Sequence, residues 1–514
     1  MIQNRPFRPL VRNLVIPALL FLFVASCAVL SKPSNTDAAS TNCIGAEKVP
    51  ARKTELETGI RGKVKFLEEP EDLSSIASKM SEYDIPALSL AVISAGDIEW
   101  GGVYQNPAFY QDQTLDCTSL FQAASLSKPV TFLAAVRMQA ADEIDLDKNI
   151  QDYLKDYVLP EGKQTAENPI TFRNLFSHTS GISAGGYEGY NRSIELPSDQ
   201  EILQGAAGVN SPAIAVITSP NETLAYSGGG YTLAELALQD IYQQEFESIM
   251  RKWVLEPIGM DNSDFAQPLP ASSADRIAKG HTQSGEQIQG GWHNYPEQAA
   301  AGLWTNAVDM AKFLVEIYKG YQGESTLFSQ TDVKSILSHE RDGHVYGFIV
   351  NRSGDDISIT HYGGNAGYRT GMTISLTSGN GLVYLINSDN GGALGNELLL
   401  SAAQVYDWKH FEQTTATREQ VSLDELKELA GAYKWNDQVD VSITYSEENK
   451  QISLIFPNGD AYQLTPIKGG ELDFIHSNTG VRLAFLEANN FESFTLYGGT
   501  AVKLPSDTGS NNNE

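Results

Sequence analysis

The order of hydrophobic and polar positions divides the chain into strands, then helices, then strands again. Residues 87–94 and 97–104 read as two antiparallel strands, because apolar runs of strand length flank the turn pair Ala95-Gly96. The pattern predicts helices over residues 125–141 and 308–318, the second with Asn306 and Asp309 placed as a capping pair. Later segments predict four further strands, over residues 346–351, 357–360, 372–376 and 382–387. This order predicts an α+β domain whose site lies where the helical part meets the sheet.

The pattern changes after a helical stretch at residues 397–408 and a linker at 414–418. Val441, Ile443 and Tyr445 alternate with polar residues, as do the apolar residues of 452–456, and glycine-containing turns separate further short strands. The sequence therefore predicts a main domain over residues 66–412 and a small all-β, barrel-like domain over 419–504. Residues 505–514 are predicted to be a disordered tail.

The N-terminus has the pattern of a signal peptide over residues 1–27, with three arginines followed by an apolar run and small residues. Val24-Ala25-Ser26-Cys27 resembles the bacterial lipobox, so Cys27 is predicted to carry acyl chains that anchor the protein to a membrane. An uncleaved anchor helix is the alternative, although Pro17 interrupts it. Residues 28–65 are predicted to be a flexible tether. The expected location is the cell envelope, lipid-anchored on the periplasmic or extracellular side.

Composition and charge narrow the classes of partner. The 514 residues carry 36 Lys and Arg against 64 Asp and Glu, a formal charge of 36 − 64 = −28. Nucleic-acid binding needs clustered basic residues, which the sequence lacks, so nucleic acid is excluded as an expected partner. Cys43 and Cys117 could form a disulfide outside the cytoplasm, and the sequence leaves that open. The cysteine spacing and the scattered histidines fit no metal motif, so neither a metal nor a cofactor is expected.

The candidate chemistry begins at Ser125-Leu-Ser-Lys128, the only Ser-x-x-Lys in the chain. Residues three apart share a helix face, so Lys128 can reach the Ser125 hydroxyl and act as the base that a weak serine nucleophile needs. Pro129 places this turn near the start of its helix. A plain surface turn before an amphipathic helix is the alternative reading of this segment alone.

Two other segments offer polar groups beside small residues. Tyr226 precedes the run Ser227-Gly-Gly-Gly, where its phenol could move a proton to a leaving group. His361 ends a predicted strand just before Gly363 and Gly364, where a backbone N–H could approach a substrate. Each alone is also consistent with an ordinary structural residue.

Together, the order Ser-x-x-Lys, Tyr-Ser-x and His-x-Gly resembles the serine β-lactamase and penicillin-binding superfamily. The chain is most similar to its class C β-lactamase-related branch, which also holds D-alanyl-D-alanine carboxypeptidases, D-aminopeptidases and carboxylesterases. Supporting segments are residues 169–181, 255–260 and 301–309. His178, in the first of them, is expected to be structural.

The resemblance implies a β-lactamase-like fold and a role for each matching residue. Ser125 would attack the substrate, Lys128 would take its proton, and Tyr226 would relay a proton to the leaving group. The backbone N–H groups of Ser125 and Gly364 would form the oxyanion hole, and His361 and Gly363 would shape the substrate side.

The chain departs from the family pattern at two positions. Gly228 replaces the usual Asn of the second motif, and His361 replaces the usual Lys of the third, which removes a fixed positive charge for a substrate carboxylate. We therefore expect an esterase, or a peptidase or amidase on D-amino-acid compounds, with a small-molecule ester, amide or peptide substrate. A true β-lactamase or D,D-carboxypeptidase is the first alternative, and a non-catalytic cell-wall-binding lipoprotein is an alternative of another class.

Overall fold

The structure is a computed structural model that describes residues 39–44, 51–110, 113–183, 185–436, 439–457, 459, 461–470, 472–487 and 490–505. Within these residues twelve α-helices can be followed in chain order. They are α1 (Ala51–Thr58), α2 (Ile76–Glu82), α3 (Ser127–Ala140), α4 (Phe172–Phe176), α5 (Asp199–Gln204), α6 (Gly228–Tyr242), α7 (Phe246–Met250), α8 (Glu256–Ile258), α9 (Ala307–Gln322), α10 (Gln330–Leu337), α11 (Gly391–Val405) and α12 (Leu423–Glu428).

The same residues form short and long β-strands. Sixteen precede the C-terminal domain: β1 (Ala39–Ile44), β2 (Ile60–Arg61), β3 (Val64–Phe66), β4 (Leu73–Ser74), β5 (Ala87–Ser94), β6 (Asp97–Gln105), β7 (Phe121–Gln122), β8 (Tyr190–Asn191), β9 (His293–Asn294), β10 (Trp304–Thr305), β11 (His344–Val345), β12 (Phe348–Ser353), β13 (Asp356–Asn365), β14 (Tyr368–Ser375), β15 (Gly381–Ile386) and β16 (Thr414–Ala416). Eight more follow: β17 (Gly431–Trp435), β18 (Val439–Ser446), β19 (Gln451–Ile455), β20 (Ala461–Ile467), β21 (Leu472–Ile475), β22 (Arg482–Glu487), β23 (Asn490–Leu496) and β24 (Gly499–Lys503).

An antiparallel eight-stranded sheet in the order β1-β6-β5-β15-β14-β13-β12-β11 forms the centre of the main domain. Its strands come from both ends of the domain, and the helical part is inserted between β6 and β11, which confirms the α+β arrangement predicted from the sequence. The predicted hairpin through residues 379–381 joins β14 to β15.

Central strand β5 explains why the sheet has a core on both faces. Leu88 and Val92 pack into one apolar cluster with side chains of α1, α2 and α11. Ala87 and Ile93, which point to the opposite face, pack into a larger cluster with α3, α6 and α9. Because successive strand residues alternate between faces, a strand buried on both sides reads as one continuous apolar run.

The C-terminal domain is a closed eight-stranded barrel, β17 to β24, in which strands next to each other in sequence pair antiparallel and β24 returns to β17. Its interior is filled by apolar side chains, including Tyr433, Leu454, Phe474 and Phe494. The barrel predicted from the alternating pattern is therefore confirmed. The predicted linker at 414–418 is partly wrong, because β16 pairs in parallel with β3 and so docks onto the main domain.

The predicted flexible tether over residues 28–65 is wrong for its described parts. Strand β1 pairs with β6 at the edge of the sheet, and Cys43 forms a disulfide with Cys117. Helix α1 packs through Leu56, which is fully buried. The polar sequence of β1 hid the strand, because an edge strand is held by backbone hydrogen bonds and needs few apolar side chains.

Several predicted features lie outside the described residues. These are the signal peptide with its lipidation site Cys27, residues 28–38 and 45–50 of the tether, and residues 506–514 of the tail. No helix in the described part of the chain is long and apolar enough to cross a membrane.

Candidate active site

Ser125 lies in a 3-10 turn, Ala124–Leu126, that leads directly into the buried helix α3. Ala124 has a φ of +52°, a left-handed conformation that costs a residue with a side chain about 1–2 kcal/mol. Neighbouring segments hold this turn: the Ala123 N–H donates to the Leu303 carbonyl at 2.8 Å, and Thr370 Oγ1 donates to the Ala123 carbonyl at 2.9 Å. The half-buried Ser125 side chain is therefore presented from a rigid, strained support.

Lys128 lies in the first turn of α3 and is followed there by Pro129, as the sequence predicts. Its side chain is buried, at 2% relative exposure. Lys128 Nζ donates to Ser125 Oγ at 3.3 Å and to the Ala300 carbonyl at 2.7 Å. No carboxylate of the described residues forms an ion pair with Lys128. The amine is thus fixed beside the hydroxyl whose proton it would take.

The segment that holds Lys128 was not identified from the sequence. Ala300 lies in a π-helical turn, Gln298–Gly302, between α3 and α6. Glu235 of α6, fully buried, accepts a hydrogen bond from the Ala299 N–H at 2.8 Å. Burial, and then the charges of nearby carboxylates, raise the pKa of Glu235 well above its usual value. The sequence signal for this segment was Glu235, an acidic residue in an otherwise apolar helix face. The contact with Lys128 left no signal, because it uses the backbone carbonyl of Ala300, which any residue type would provide.

Tyr226 borders Lys128 from the other side. Lys128 Nζ lies 4.9 Å from the centroid of the Tyr226 ring, and Tyr226 is 43% exposed. Ser227 caps α6 by accepting the Gly230 N–H at 3.0 Å, which fixes the chain immediately after Tyr226. The His178 ring packs against the Tyr226 ring, with 4.4 Å between the centroids and an angle of 35° between the ring planes. His178, expected to be structural, is therefore part of the wall of this site.

His361 lies on β13, where that strand runs past the end of β12. The last β12 pair is Ile349 with Thr360, so residues 361–365 have one edge without a β12 partner. The His361 ring is hydrogen-bonded to the backbone of Ser125, and burial together with the Lys128 charge lowers the pKa of His361 to about 3. The ring is consequently neutral near pH 7.

Gly363 brings this strand edge against the serine turn. A side chain at Gly363 would place its Cβ in overlap with Thr370 Oγ1, 2.7 Å from the Ala123 carbonyl oxygen and 3.0 Å from Ala124 Cβ. Only glycine permits so close an approach. Gly364 follows with more room, its nearest neighbour being the Arg369 guanidinium at 3.4 Å from the Cβ position.

The structure thus brings Tyr226 together with the other predicted site residues of the first and third motifs, namely Ser125, Lys128, His361, Gly363 and Gly364. Gly228, in the second motif, is enclosed by neighbouring chain instead. The Gly228 N–H donates to the Gly185 carbonyl at 2.7 Å. A Cβ at Gly228 would lie 2.7 Å from that carbonyl oxygen and 2.8 Å from the Tyr187 ring. The space that the family's Asn side chain would need is occupied by Tyr187 and backbone.

Gly228→Ala is therefore expected to destabilise the protein by about 1–3 kcal/mol, because the new methyl group overlaps backbone that cannot move freely. The matched control is Gly230→Ala in the same helix turn, where the nearest atom lies 3.6 Å from the Cβ position. Gly230→Ala should be neutral or slightly stabilising. Thermal unfolding of both variants measures the difference, and equal unfolding midpoints would contradict the steric argument.

A cavity of about 170 Å³ opens beside these residues. Tyr226, His361 and His178 line one part of it, and the segment 344–349 lines another. In the described ranges no group of three or more His, Cys, Asp or Glu side chains is placed to hold a metal ion. The site brings together a serine hydroxyl, a lysine amine, a tyrosine phenol and backbone N–H groups.

The beta-lactamase family model matches residues 74–406, which is more than half of the chain. The chain belongs to the beta-lactamase family. One relative that matches over most of its length is Penicillin-binding protein 4* of Bacillus subtilis (strain 168). It is 21% identical over 436 residues, which cover 78% of this chain and 90% of that protein.

Solved structures share the fold at low sequence identity. The octameric penicillin-binding protein homologue from Pyrococcus abyssi superimposes with a TM-score of 0.54 at 18% identity, covering 83% of this chain and 98% of that one. D-amino acid amidase from Ochrobactrum anthropi SV3, complexed with D-phenylalanine, gives a TM-score of 0.50 at 19% identity over 64% of this chain and 96% of that one. Members of the beta-lactamase family with this fold are typically serine hydrolases.

Proposed function

We propose that this protein is a serine hydrolase that works through an acyl-enzyme on Ser125. The observation that supports the proposal is the 3.3 Å contact between Lys128 Nζ and Ser125 Oγ at the start of helix α3. Lys128 is buried and Ser125 is half-buried. A serine hydroxyl becomes an effective nucleophile when a base beside it can take its proton.

In the proposed reaction each residue of the site has a defined role in acylation, and the proton-transfer groups act again in deacylation. Lys128 takes the Ser125 proton as Oγ attacks the substrate carbonyl, and the oxyanion is held by the N–H groups of Ser125 and Gly364. Tyr226, whose ring borders Lys128, passes a proton to the leaving group, which departs as the acyl-enzyme forms. Water then releases the acyl group by the reverse sequence of proton transfers.

The preferred substrates are esters, or amides and peptides of D-amino-acid compounds. A neutral His361 offers no fixed positive charge for the carboxylate of a penicillin or a peptide terminus. The filled space at Gly228 leaves no room for a side-chain amide that would hold an acyl side chain there. Both features favour the esterase and amidase reading over a β-lactamase or a D,D-carboxypeptidase.

The test is covalent labelling of the full-length chain with a fluorophosphonate, read by intact mass. We expect one adduct on the unmodified protein and none on Ser125→Ala, while Ser284→Ala, which removes an exposed serine, should label normally. An adduct that persists in folded Ser125→Ala, or no adduct on the folded unmodified protein, would overturn the assignment.

We also propose export and lipid anchoring through Cys27. The disulfide between Cys43 and Cys117 supports this location, because disulfides persist in oxidising compartments. The lipobox-like sequence supplies the proposed attachment residue.

A further inference from the structure

The cavity beside Tyr226 has a composition that selects among substrates. Its lining residues include the aromatic residues Tyr226, Tyr346 and Phe348 and the apolar Ile349. Of the residues that the structure describes, no Lys, Arg, Asp or Glu lines this cavity. Lys128 lies next to Tyr226 but is not part of the wall.

The two buried histidines of the wall are held in defined neutral forms. The Ser227 N–H donates to His178 Nδ1 at 3.1 Å, so Nδ1 is unprotonated and the proton of the neutral ring is on Nε2. Burial, and then the Lys128 charge, lower the pKa of His178 well below its usual value. His178 is therefore a neutral ring rather than a cation.

His361 has the opposite arrangement. Its hydrogen bond to the Ser125 backbone favours the protonated ring, which identifies the backbone group as the carbonyl and His361 as the donor. His361 Nε2 is buried and has no hydrogen-bond partner within the described chain. The Nε2 of His178 likewise has no partner among the described side chains and backbone groups. Both Nε2 atoms are buried away from the cavity space, so the two histidines present ring surface to an occupant rather than a free donor or acceptor.

The size of the cavity sets the size of its occupant. A cavity of about 150 Å³ is enough to bind benzene in a protein core, and this one measures about 170 Å³. A ring or a branched alkyl group of similar volume would fill it. An ionised carboxylate placed there would meet no Lys or Arg among the described residues of the wall, and moving a charge out of water without a partner is costly.

We propose that this cavity binds the leaving group of the substrate, and that this group is uncharged, apolar and about the size of a phenyl ring. The leaving group is assigned here because Tyr226, the proposed proton donor to it, forms part of the wall. The substrate class is therefore esters or amides of ring-sized neutral alcohols or amines, rather than peptides that end in a free carboxylate.

This inference rests on the proposed function, so its test measures binding without turnover. The probes are benzamide and benzoate, which have nearly the same shape and differ in charge. Their dissociation constants are measured by ligand-observed NMR at pH 7.5 on the full-length Ser125→Ala protein, which cannot be acylated at that residue. We expect benzamide to bind at least about tenfold more tightly than benzoate, a difference of about 1.4 kcal/mol. Equal affinities, or tighter binding of benzoate, would overturn the proposal even if Ser125 labelling succeeds.

Two variants locate the binding in the cavity. Ile349→Trp should fill it and weaken benzamide binding at least tenfold, whereas Arg352→Trp, exposed on the same strand and outside the wall, should not. His344→Lys adds a permanent charge at an exposed wall position and should raise benzoate affinity at least fivefold with little effect on benzamide. His476→Lys, the same change in the barrel, is the control. Benzamide binding that survives Ile349→Trp in folded protein would show that the cavity is not its site.

Discussion

Replacing Lys128 by methionine is expected to slow fluorophosphonate acylation of Ser125 by about 10³-fold, within the range that a positioned general base contributes. Methionine has an unbranched apolar side chain one heavy atom shorter than that of lysine, and it has no group that can take a proton. Lys128 is buried, and its two hydrogen-bond acceptors in the described structure are Ser125 Oγ and the Ala300 carbonyl. No other described lysine or histidine is hydrogen-bonded to that hydroxyl.

The measurement is the pseudo-first-order rate of adduct formation, followed by intact mass over a range of reagent concentrations. Lys279→Met is the matched control, because Lys279 is exposed and its removal should leave the rate unchanged. Thermal unfolding of both variants shows whether the fold is intact. A folded Lys128→Met protein that is acylated within tenfold of the normal rate would exclude Lys128 as the base.

The second large effect concerns stability and its dependence on pH. Glu297 is fully buried, and neither carboxylate oxygen has a hydrogen-bond partner among the described residues. Burial raises the pKa of Glu297 to about 8 from an ordinary value of 4.5. The folded protein therefore keeps this carboxyl protonated at neutral pH, whereas the unfolded chain ionises it.

The sign of the effect follows from proton binding. Between the two pKa values the folded state holds more protons than the unfolded state, so this group makes the protein less stable as pH rises from about 4.5 to 8. Glu297→Gln has a neutral side chain of the same shape at every pH and removes that loss. Relative to the unmodified protein, the variant should gain about 3 kcal/mol in free energy of unfolding between pH 5 and pH 8.

Urea unfolding at pH 5, 6, 7 and 8 measures the difference between the two curves. Glu286→Gln serves as the control, because Glu286 is exposed and its replacement should leave the curve parallel to that of the unmodified protein. If Glu297→Gln and the unmodified protein show parallel curves, the buried carboxyl is already ionised in the folded state and the assigned direction is wrong.

Much of the fold could be predicted from local pattern. The continuous apolar run of β5, the turn at residues 379–381 and the alternation in β18 each specify an element through neighbouring residues alone. The N-terminal strand β1 could not be found in this way. Its pairing with β6 uses backbone groups, which every residue type carries, and its anchor is a disulfide to a residue 74 positions away.

The features of the active site divide in the same way, into those predictable from local sequence and those that depend on contacts between distant segments. The sequence by itself determined that Ser125 and Lys128 share a helix face, that glycines follow His361, and that Gly228 carries no side chain, because each depends on residue type and short spacing. Only the tertiary structure decided that the Ala300 carbonyl holds Lys128, that Tyr187 fills the space beside Gly228, and that His178 and His361 are neutral within a cavity wall. These features arise from burial and from contacts between distant segments, and the contacts often use backbone atoms, so no residue pattern along the chain records them.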